Sequence, residues 1–367
     1  MDKYKIYVFH PYSKIGGADL SISRLIKNLD IKNFDIDFIF LNQQKLTKYL
    51  NLEKKNINFI NVNSKRALFS IFKIRDHLIK DRKRRYKKYI FLSNQNFANI
   101  LSFFILFKID WIKQILIERN HIDEFKYDNS IKKKIIFILM KLLYKKADSI
   151  IGISKILTKD LTKLVNKKVI TIYNPAFDIN IFKASKTKIH LKKKKNTFLT
   201  IGRLENQKDT ITILKAFKLL IKVINARLII IGYGSELKHL KNFISNNKLK
   251  NRITILTRVK NPFPYYKLAD TFILSSKFEG FGNVLVEAAM FKLNIISSNC
   301  NSGPKEILKN GRYGQLFNVG DHVKLSKQMY RSLKNKKLYN RNELYNSLKR
   351  FDIKNNVSKY IKLFKQV

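Results

Sequence analysis

The sequence predicts an α/β chain folded as two doubly wound domains, and three observations predict it. Short apolar runs alternate with amphipathic stretches along the chain, the pattern of strands joined by crossover helices. Several of those runs end in glycine, where a strand can turn sharply into a helix. The 367 residues, 45% of them hydrophobic, can bury two cores of ordinary size.

The first apolar run, YKIYVFH at 4–10, reads as a strand, and Gly16 and Gly17 follow it before a helical pattern at 19–29. Glycines at such a junction let backbone N–H groups approach a phosphate closely. Strand-like runs at 37–41, 89–92, 115–118, 149–153 and 169–173 would complete the first sheet. The run at 115–118 leads into RNHID, which puts His121 at a strand end, where an imidazole can donate or accept near neutral pH. Ser154 suits a helix N-cap as well as a ligand contact. Asn174 and Pro175 end the last run, since proline cannot continue a ladder.

The first domain is expected over 1–182, and KASKTKIHLKKKKN at 183–196 loses apolar periodicity and reads as a solvated linker. The second domain, 197–350, opens with a strand at 197–201 and then GRLENQKD, which carries Arg203 and Lys208. Two fixed cations of that kind can stabilise charge developing on a diphosphate. Runs at 227–231 and 253–260 precede TFILS at 271–275, a loop with Gly280 and Gly282, and a helical pattern at 284–290. Glu279 therefore sits at the carboxyl end of a strand, and Glu287 lies one to two turns into the next helix. Ligands of open α/β sheets bind outside those strand ends, where helix N-termini offer N–H groups to anionic oxygens. Two carboxylates on one crevice can accept hydrogen bonds from different hydroxyls, which suits a sugar joined to a ribose. Taken alone, the pair is equally a helix-terminal charge and a solvated helix side chain.

Composition bounds the partners. A single cysteine, Cys300, excludes an intramolecular disulfide and a cysteine-rich metal site, and no His/Asp cluster at ligand spacing points to a dedicated divalent ion. The net charge of +49 is spread along a chain rich in Lys, Ile and Asn, a drift toward A/T-rich codons, and no nucleic-acid recognition motif accompanies it. An anionic membrane surface is the better partner. The opening strand carries no leader before it, and the longest apolar stretch, 100–107, is interrupted by Lys108 and Asp110, so a cytoplasmic chain without a spanning segment is expected. IKKKIIFILMKLLYKK at 131–146 reads either as a core helix at 135–143 with solvated ends or as a helix lying in a membrane interface, and RKRRYKK at 82–88 adds a basic patch.

EGFGNVLVE spans two glutamates with seven residues between, preceded by NPFPYYKLAD at 261–270 and followed by SGPKEILKNGRYGQLF at 302–317. With GRLENQKD and GGADLSISRLIKNL, these segments resemble the retaining glycosyltransferases of family 4. The resemblance covers almost the whole chain. It implies the GT-B architecture, two Rossmann-like domains facing one another across a cleft, with a final helix in 355–365 crossing back to the first domain; the tail 351–367 is assigned to it.

The resemblance also implies roles. The donor would be a nucleotide sugar, UDP-linked, held by Gly16, Gly17, Arg203, Lys208, Glu279, Gly280, Phe281, Gly282, Asn283, Val284 and Glu287, with no cofactor and no metal. Glu279 and His121 would face the donor sugar, Glu287 the ribose, and Arg203 and Lys208 the diphosphate. The acceptor would be a lipid-linked or surface-polysaccharide glycan, including a polyprenyl-diphosphate-linked one, met at the cytoplasmic face of the inner membrane. The chain departs from the family's pattern with Asp19 for Glu, Tyr233 for an acidic residue, and Thr257 and Arg258 where a glycine and an aromatic stand beside the base. A nucleotide-sugar epimerase or a sucrose- or glycogen-type synthase of the same architecture, and a non-enzymatic basic surface-binding protein, are the alternative readings.

Overall fold

The computed structural model describes residues 3–11, 16–30, 32–41, 57–64, 69–82, 86–127, 130–335 and 338–367. They form two compact units, Met1–Pro175 with Ile353–Val367, and Ala176–Asp352. The first unit carries a parallel sheet in the order β3-β2-β1-β4-β5-β6-β7. Its strands are β1 Tyr4–Phe9, β2 Phe34–Phe40, β3 Ile57–Asn61, β4 Lys88–Asn94, β5 Ile112–Glu118, β6 Ser149–Gly152 and β7 Ile170–Thr171. The second carries a parallel sheet in the order β10-β9-β8-β11-β12-β13. These are β8 Thr197–Ile201, β9 Arg227–Ile231, β10 Ile253–Leu256, β11 Thr271–Leu274, β12 Asn294–Ser298 and β13 Gln315–Phe317. Strand order reverses between β1 and β4 in one unit and between β8 and β11 in the other, and such switch points open the crevices in which ligands of this fold class bind.

Central strands are apolar on both faces because helices cover both. All six residues of β1 are buried, and in the second unit Phe198, Phe217, Leu228, Ile273, Ile296 and Met329 belong to one core. Three strands escape the sequence reading: β3, β12 and β13. INFIN of β3 is largely half-exposed, NIISS of β12 is short and polar at its end, and β13 has three residues, so none shows a clean apolar run.

The stretch 183–196 belongs to the second unit, with the helix Asn180–Ala184 docked there by a hydrogen bond from Asn261 Nδ2 to the Ala184 carbonyl at 2.8 Å. The units divide at Pro175 and Ala176, where proline ends regular pairing. The helix Ile353–Gln366 is part of the first unit, its Phe364 ring set edge-on to Phe34 at 6.1 Å. Of the basic run 82–88, residues 83–85 lie outside the described residues; Arg82 sits over the Trp111 ring and Lys88 donates to the Lys365 carbonyl at 3.3 Å.

The amino edge of the first sheet is tied by a buried lysine. Lys5 Nζ lies 2.7 Å from Asp37 Oδ1 and 3.4 Å from both Asp35 Oδ1 and Asp81 Oδ2. Burial pulls the ammonium down, yet the hydrogen bond to Asp37 and the three carboxylate charges hold it above the ordinary lysine range. Burial likewise opposes ionisation of Asp37, but hydrogen bonds from His77 and Lys5 and the charge of Lys5 hold it below the ordinary carboxylate range. A raised lysine stabilises fully below its unfolded-state pKa and loses that contribution as pH climbs through the folded one, and a depressed aspartate stabilises fully above its unfolded-state pKa and loses it as pH falls through the folded one, so the cluster is at full strength between the two unfolded-state values. Replacing Lys5 with Met strands buried carboxylates and should cost about 3–5 kcal/mol in urea unfolding at neutral pH. The deficit should shrink as pH falls through the carboxylate range and Asp37 takes up a proton; a deficit independent of pH would remove charge from the explanation.

Candidate functional site

In the second unit, β8 and β11 lie side by side at the switch point, and the loops that follow them are laced together. The first loop carries Arg203 and a single 3-10 turn, Asn206–Lys208. The Lys277 N–H donates to the Gln207 carbonyl at 2.8 Å, Gln207 Nε2 to the Phe278 carbonyl at 3.0 Å, and Ser275 Oγ to the Lys208 carbonyl at 2.7 Å. Arg203 is exposed and donates to Gln207 Oε1 at 3.1 Å. Lys208 Nζ makes an ion pair with Glu279 Oε1, an oxygen that also accepts from Ser276 Oγ at 2.6 Å. Residues assigned separately to a diphosphate and to a sugar hydroxyl are thus each other's partner here.

The Glu279 loop turns into the helix Asn283–Met290 at Gly282, whose φ of +94° is the left-handed conformation that glycine adopts without strain. Ser302 Oγ donates to the Gly280 carbonyl at 2.5 Å. Gly303 packs against the same loop so closely that a β-carbon on it would stand 1.8 Å from the Phe281 carbonyl oxygen. Phe281 and Asn283 are buried and Val284 half-buried. Glu287 is only 4% exposed and accepts from Tyr266 Oη at 2.9 Å, the Tyr266 ring lying parallel to Phe291 at 5.2 Å. Beside the loop, burial first and the Glu279 charge second push the Cys300 thiol up to about 12. Arg258, which stands where the resemblance expects an aromatic, has a φ of +56°, a left-handed conformation uncommon outside glycine.

Arg203, Lys208, Glu279, Gly280, Phe281 and Gly282 therefore share one set of strand-end loops, with Asn283, Val284 and Glu287 on the helix they open. A separate hollow of about 1050 Å³ opens at the amino end of this sheet, among Asn196, Asp270, Asn294 and Tyr339.

The remaining assigned residues belong to the first unit. His121 is 1% exposed rather than on a solvated loop; its Nδ1 accepts from the Asp123 N–H at 3.2 Å and its Nε2 faces Asp160 Oδ2 at 3.1 Å. The Gly16 N–H donates to Asp19 Oδ2 at 2.7 Å, and Gly17 begins the helix Gly17–Asn28. Ser154 caps a helix, accepting from the Leu157 N–H at 3.3 Å. The sequence does hold an Asp-X-Asp triplet, Asp35 to Asp37, contrary to the expectation that it has none, and both of its carboxylates lie on Lys5. Among the described residues, no group of three or more His, Cys, Asp or Glu is arranged to hold a metal ion. The roles of Tyr266, Gln207, Ser276 and Ser302 go unread in the sequence, although Tyr266 lies inside NPFPYYKLAD, Gln207 inside GRLENQKD and Ser302 at the head of SGPKEILKNGRYGQLF.

The family model described as Glycosyl transferases group 1 matches residues 182–349. An uncharacterized glycosyltransferase of Methanocaldococcus jannaschii is 31% identical over 278 residues, 70% of this chain and 67% of that protein. A Campylobacter jejuni enzyme, N-acetylgalactosamine-N,N'-diacetylbacillosaminyl-diphospho-undecaprenol 4-alpha-N-acetylgalactosaminyltransferase, is 30% identical over 204 residues, 54% of each chain. Among solved structures, Anabaena HepE in complex with UDP and glucose superposes with a TM-score of 0.81 at 17% identity, covering 99% of this chain and 100% of that one. Sucrose-phosphate synthase from Thermosynechococcus elongatus gives 0.82 at 15%, covering 99% of each. Likeness at such identities establishes the fold, GT-B with two Rossmann-like units.

The contact of Gly303 with Phe281 makes a structural test. Gly303→Ala must push the backbone of the Glu279 loop aside, and should cost about 2 kcal/mol or more in denaturant unfolding. An unchanged midpoint would show that the loop yields freely and is not braced by this glycine.

Proposed function

The chain belongs to the group 1 glycosyl transferases, and on that premise we propose that it moves a hexose or N-acetylhexosamine from UDP to a lipid-linked or surface-polysaccharide glycan with retention of anomeric configuration. The observation that carries this reading is the Lys208–Glu279 pair at the switch point, flanked by Arg203 and by the start of the helix Asn283–Met290. A donor brings both complements at once: its diphosphate replaces Glu279 as the partner of Lys208, and a sugar hydroxyl replaces Lys208 as the partner of Glu279. Glu287, fixed by Tyr266, accepts from the ribose hydroxyls.

In this mechanism the bond from anomeric carbon to phosphate oxygen breaks, and its electron pair goes to that oxygen. The acceptor hydroxyl bonds to the same face of the sugar, and its proton passes to the departing phosphate. Arg203, Lys208 and the N–H groups at the helix start hold the charge that develops. A carboxylate nucleophile is not required, which leaves Glu279 free to orient the sugar. His121, which the resemblance assigns to the donor sugar, has its imidazole fixed by Asp160 and by the Asp123 N–H. The donor is read as UDP-linked because HepE is described with UDP and glucose, and the acceptor as lipid-linked because the Campylobacter jejuni relative's name includes a diphospho-undecaprenol sugar.

The same reading places the work at an anionic membrane surface. On the helix Ile131–Leu143, Ile136 and Met140 are buried, whereas Ile131, Ile135, Ile138 and Leu142 are 78, 52, 56 and 52% exposed. Their spacing of four, three and four residues forms one apolar stripe turned away from the core, with Lys132, Lys134 and Lys141 exposed around it. Such a helix gains from apolar burial in an interface and from about 1 kcal/mol per lysine near anionic lipid. Among the described residues, no helix is long and apolar enough to cross a membrane.

Two tests follow from these roles. Arg203→Ala and Lys208→Ala should each lower kcat by about a hundredfold with a smaller effect on KM, and transfer should persist in EDTA because these cations carry the leaving-group charge. Glu287→Ala should weaken binding of UDP alone, while Glu279→Gln should impair transfer and leave UDP affinity intact, measured by calorimetry. Unchanged turnover in both cation variants, or equal loss of UDP affinity in both glutamate variants, would sink the assignment. For the membrane, sedimentation with anionic vesicles should show binding that weakens with salt and falls when Lys132, Lys134 and Lys141 become Ser. Lys133 is left out because it already pairs with Glu124. Binding indifferent to salt, or absent, would leave the stripe as ordinary surface.

A further inference from the structure

Arg119 is 5% exposed, and its side chain donates to two amide oxygens, to Asn94 Oδ1 through Nε and to Asn174 Oδ1 through Nη1 at 2.6 Å. A buried guanidinium held by neutral groups needs a compensating charge within reach. Two carboxyl groups act on it, Asp19 and the neighbouring Glu118, and Asp19 stands at the far end of a directional chain. A guanidinium can only donate, so the Asn94 atom it meets is the carbonyl oxygen, and the amide NH2 of Asn94 faces His10 Nδ1, 2.9 Å away. An NH2 group also only donates, so Nδ1 is the bare nitrogen of the imidazole. The ring proton is left on Nε2, 2.7 Å from Asp19 Oδ1. The other oxygen of Asp19 accepts the Gly16 N–H at 2.7 Å.

We propose that His10 and Asn94 are positioning residues that link buried Arg119 to Asp19 through one continuous run of hydrogen bonds, and so fix the first turn of the helix Gly17–Asn28. His10 is then held neutral with its proton on Nε2. Each bond polarises the next in the same sense, which lets two neutral side chains join a cation to an anion that never touch. The run crosses the first sheet's switch point, since His10 follows β1, Asn94 ends β4 and Arg119 follows β5. Its other arm holds Asn174 next to Pro175, whose carbonyl accepts from Arg24 Nη1 at 3.4 Å. It therefore fixes together the strand ends, the Gly16 turn and the place where the chain leaves the unit. The effect on transfer rests on the function proposed above; the tautomer does not.

Asn94→Asp tests the proposal at constant shape. A carboxylate between Arg119 and His10 would flank the imidazole with two acceptors and draw a second proton onto it. Nitrogen-15 NMR of the full chain should show His10 with Nδ1 bare and Nε2 protonated in the native protein, and both nitrogens protonated in the variant. Transfer by Asn94→Asp should fall about tenfold or more in kcat with little change in donor KM. His10→Gln, which can still accept from Asn94 and donate to Asp19, should keep several times more activity than His10→Phe. A native His10 with its proton on Nδ1 or on both nitrogens would overturn the relay, as would equal activity in the Gln and Phe variants. The NMR measurement needs no substrate, so a native chain lacking transfer activity would count against the proposed function and not against the relay.

Discussion

The second unit is organised around a pair of opposite charges on neighbouring strand ends. Lys208 follows β8 and Glu279 follows β11, and the reversal of strand order at that point is what brings the two loops together. Both side chains are mostly buried, so each would be costly without the other. Their pairing explains why the surrounding backbone is so heavily tied, from the Gln207 contacts on one side to Ser302 and Gly303 on the other. A ligand that displaces the pair has to supply both an anion and a hydroxyl, and a molecule with only one would leave a buried charge unmatched.

The first unit solves a related problem differently. Lys5 meets its three carboxylates directly, at the amino edge of the sheet, and the charges are closed off there. At the carboxyl edge, Arg119 and Asp19 are kept apart by Asn94 and His10. Direct contact suits a compact tie, whereas separation spreads polar order across the buried ends of β1, β4 and β5.

Much of the fold was legible because parallel strands buried on both faces are continuous apolar runs. β8 and β9 coincide with their runs, and β1, β5, β6 and β11 differ from theirs by three residues or fewer at an end. The strands β3, β12 and β13 were not, since edge position and polar ends erase the run that marks a strand. The run at 183–196 shows the opposite error: a solvated surface and a linker look alike in composition, and contact with Asn261 separates them only in space. In the site, the charged residues and glycines of each motif were readable, and the polar side chains that hold them were not. Gln207 and Ser302 stand inside motifs and Ser276 outside them, but none has a charge or periodicity to betray its contact, and His10, Asn94 and Arg119 meet across sequence separations of 25 to 84 residues. Helix 131–143 was ambiguous because both stripes are apolar; burial assigns one to the core and leaves the other outside.

The lone cysteine gives the chain an experimental property. Cys300 is buried, and its thiol is held almost wholly protonated near neutral pH, so it is a poor nucleophile toward maleimides and iodoacetamides in the folded protein. A cysteine introduced on the surface would be the sole fast-reacting thiol. Fluorophores or spin labels could therefore be attached one per unit without first removing a native residue that packs beside the Glu279 loop, and distance changes on donor binding could be followed in an otherwise unaltered enzyme.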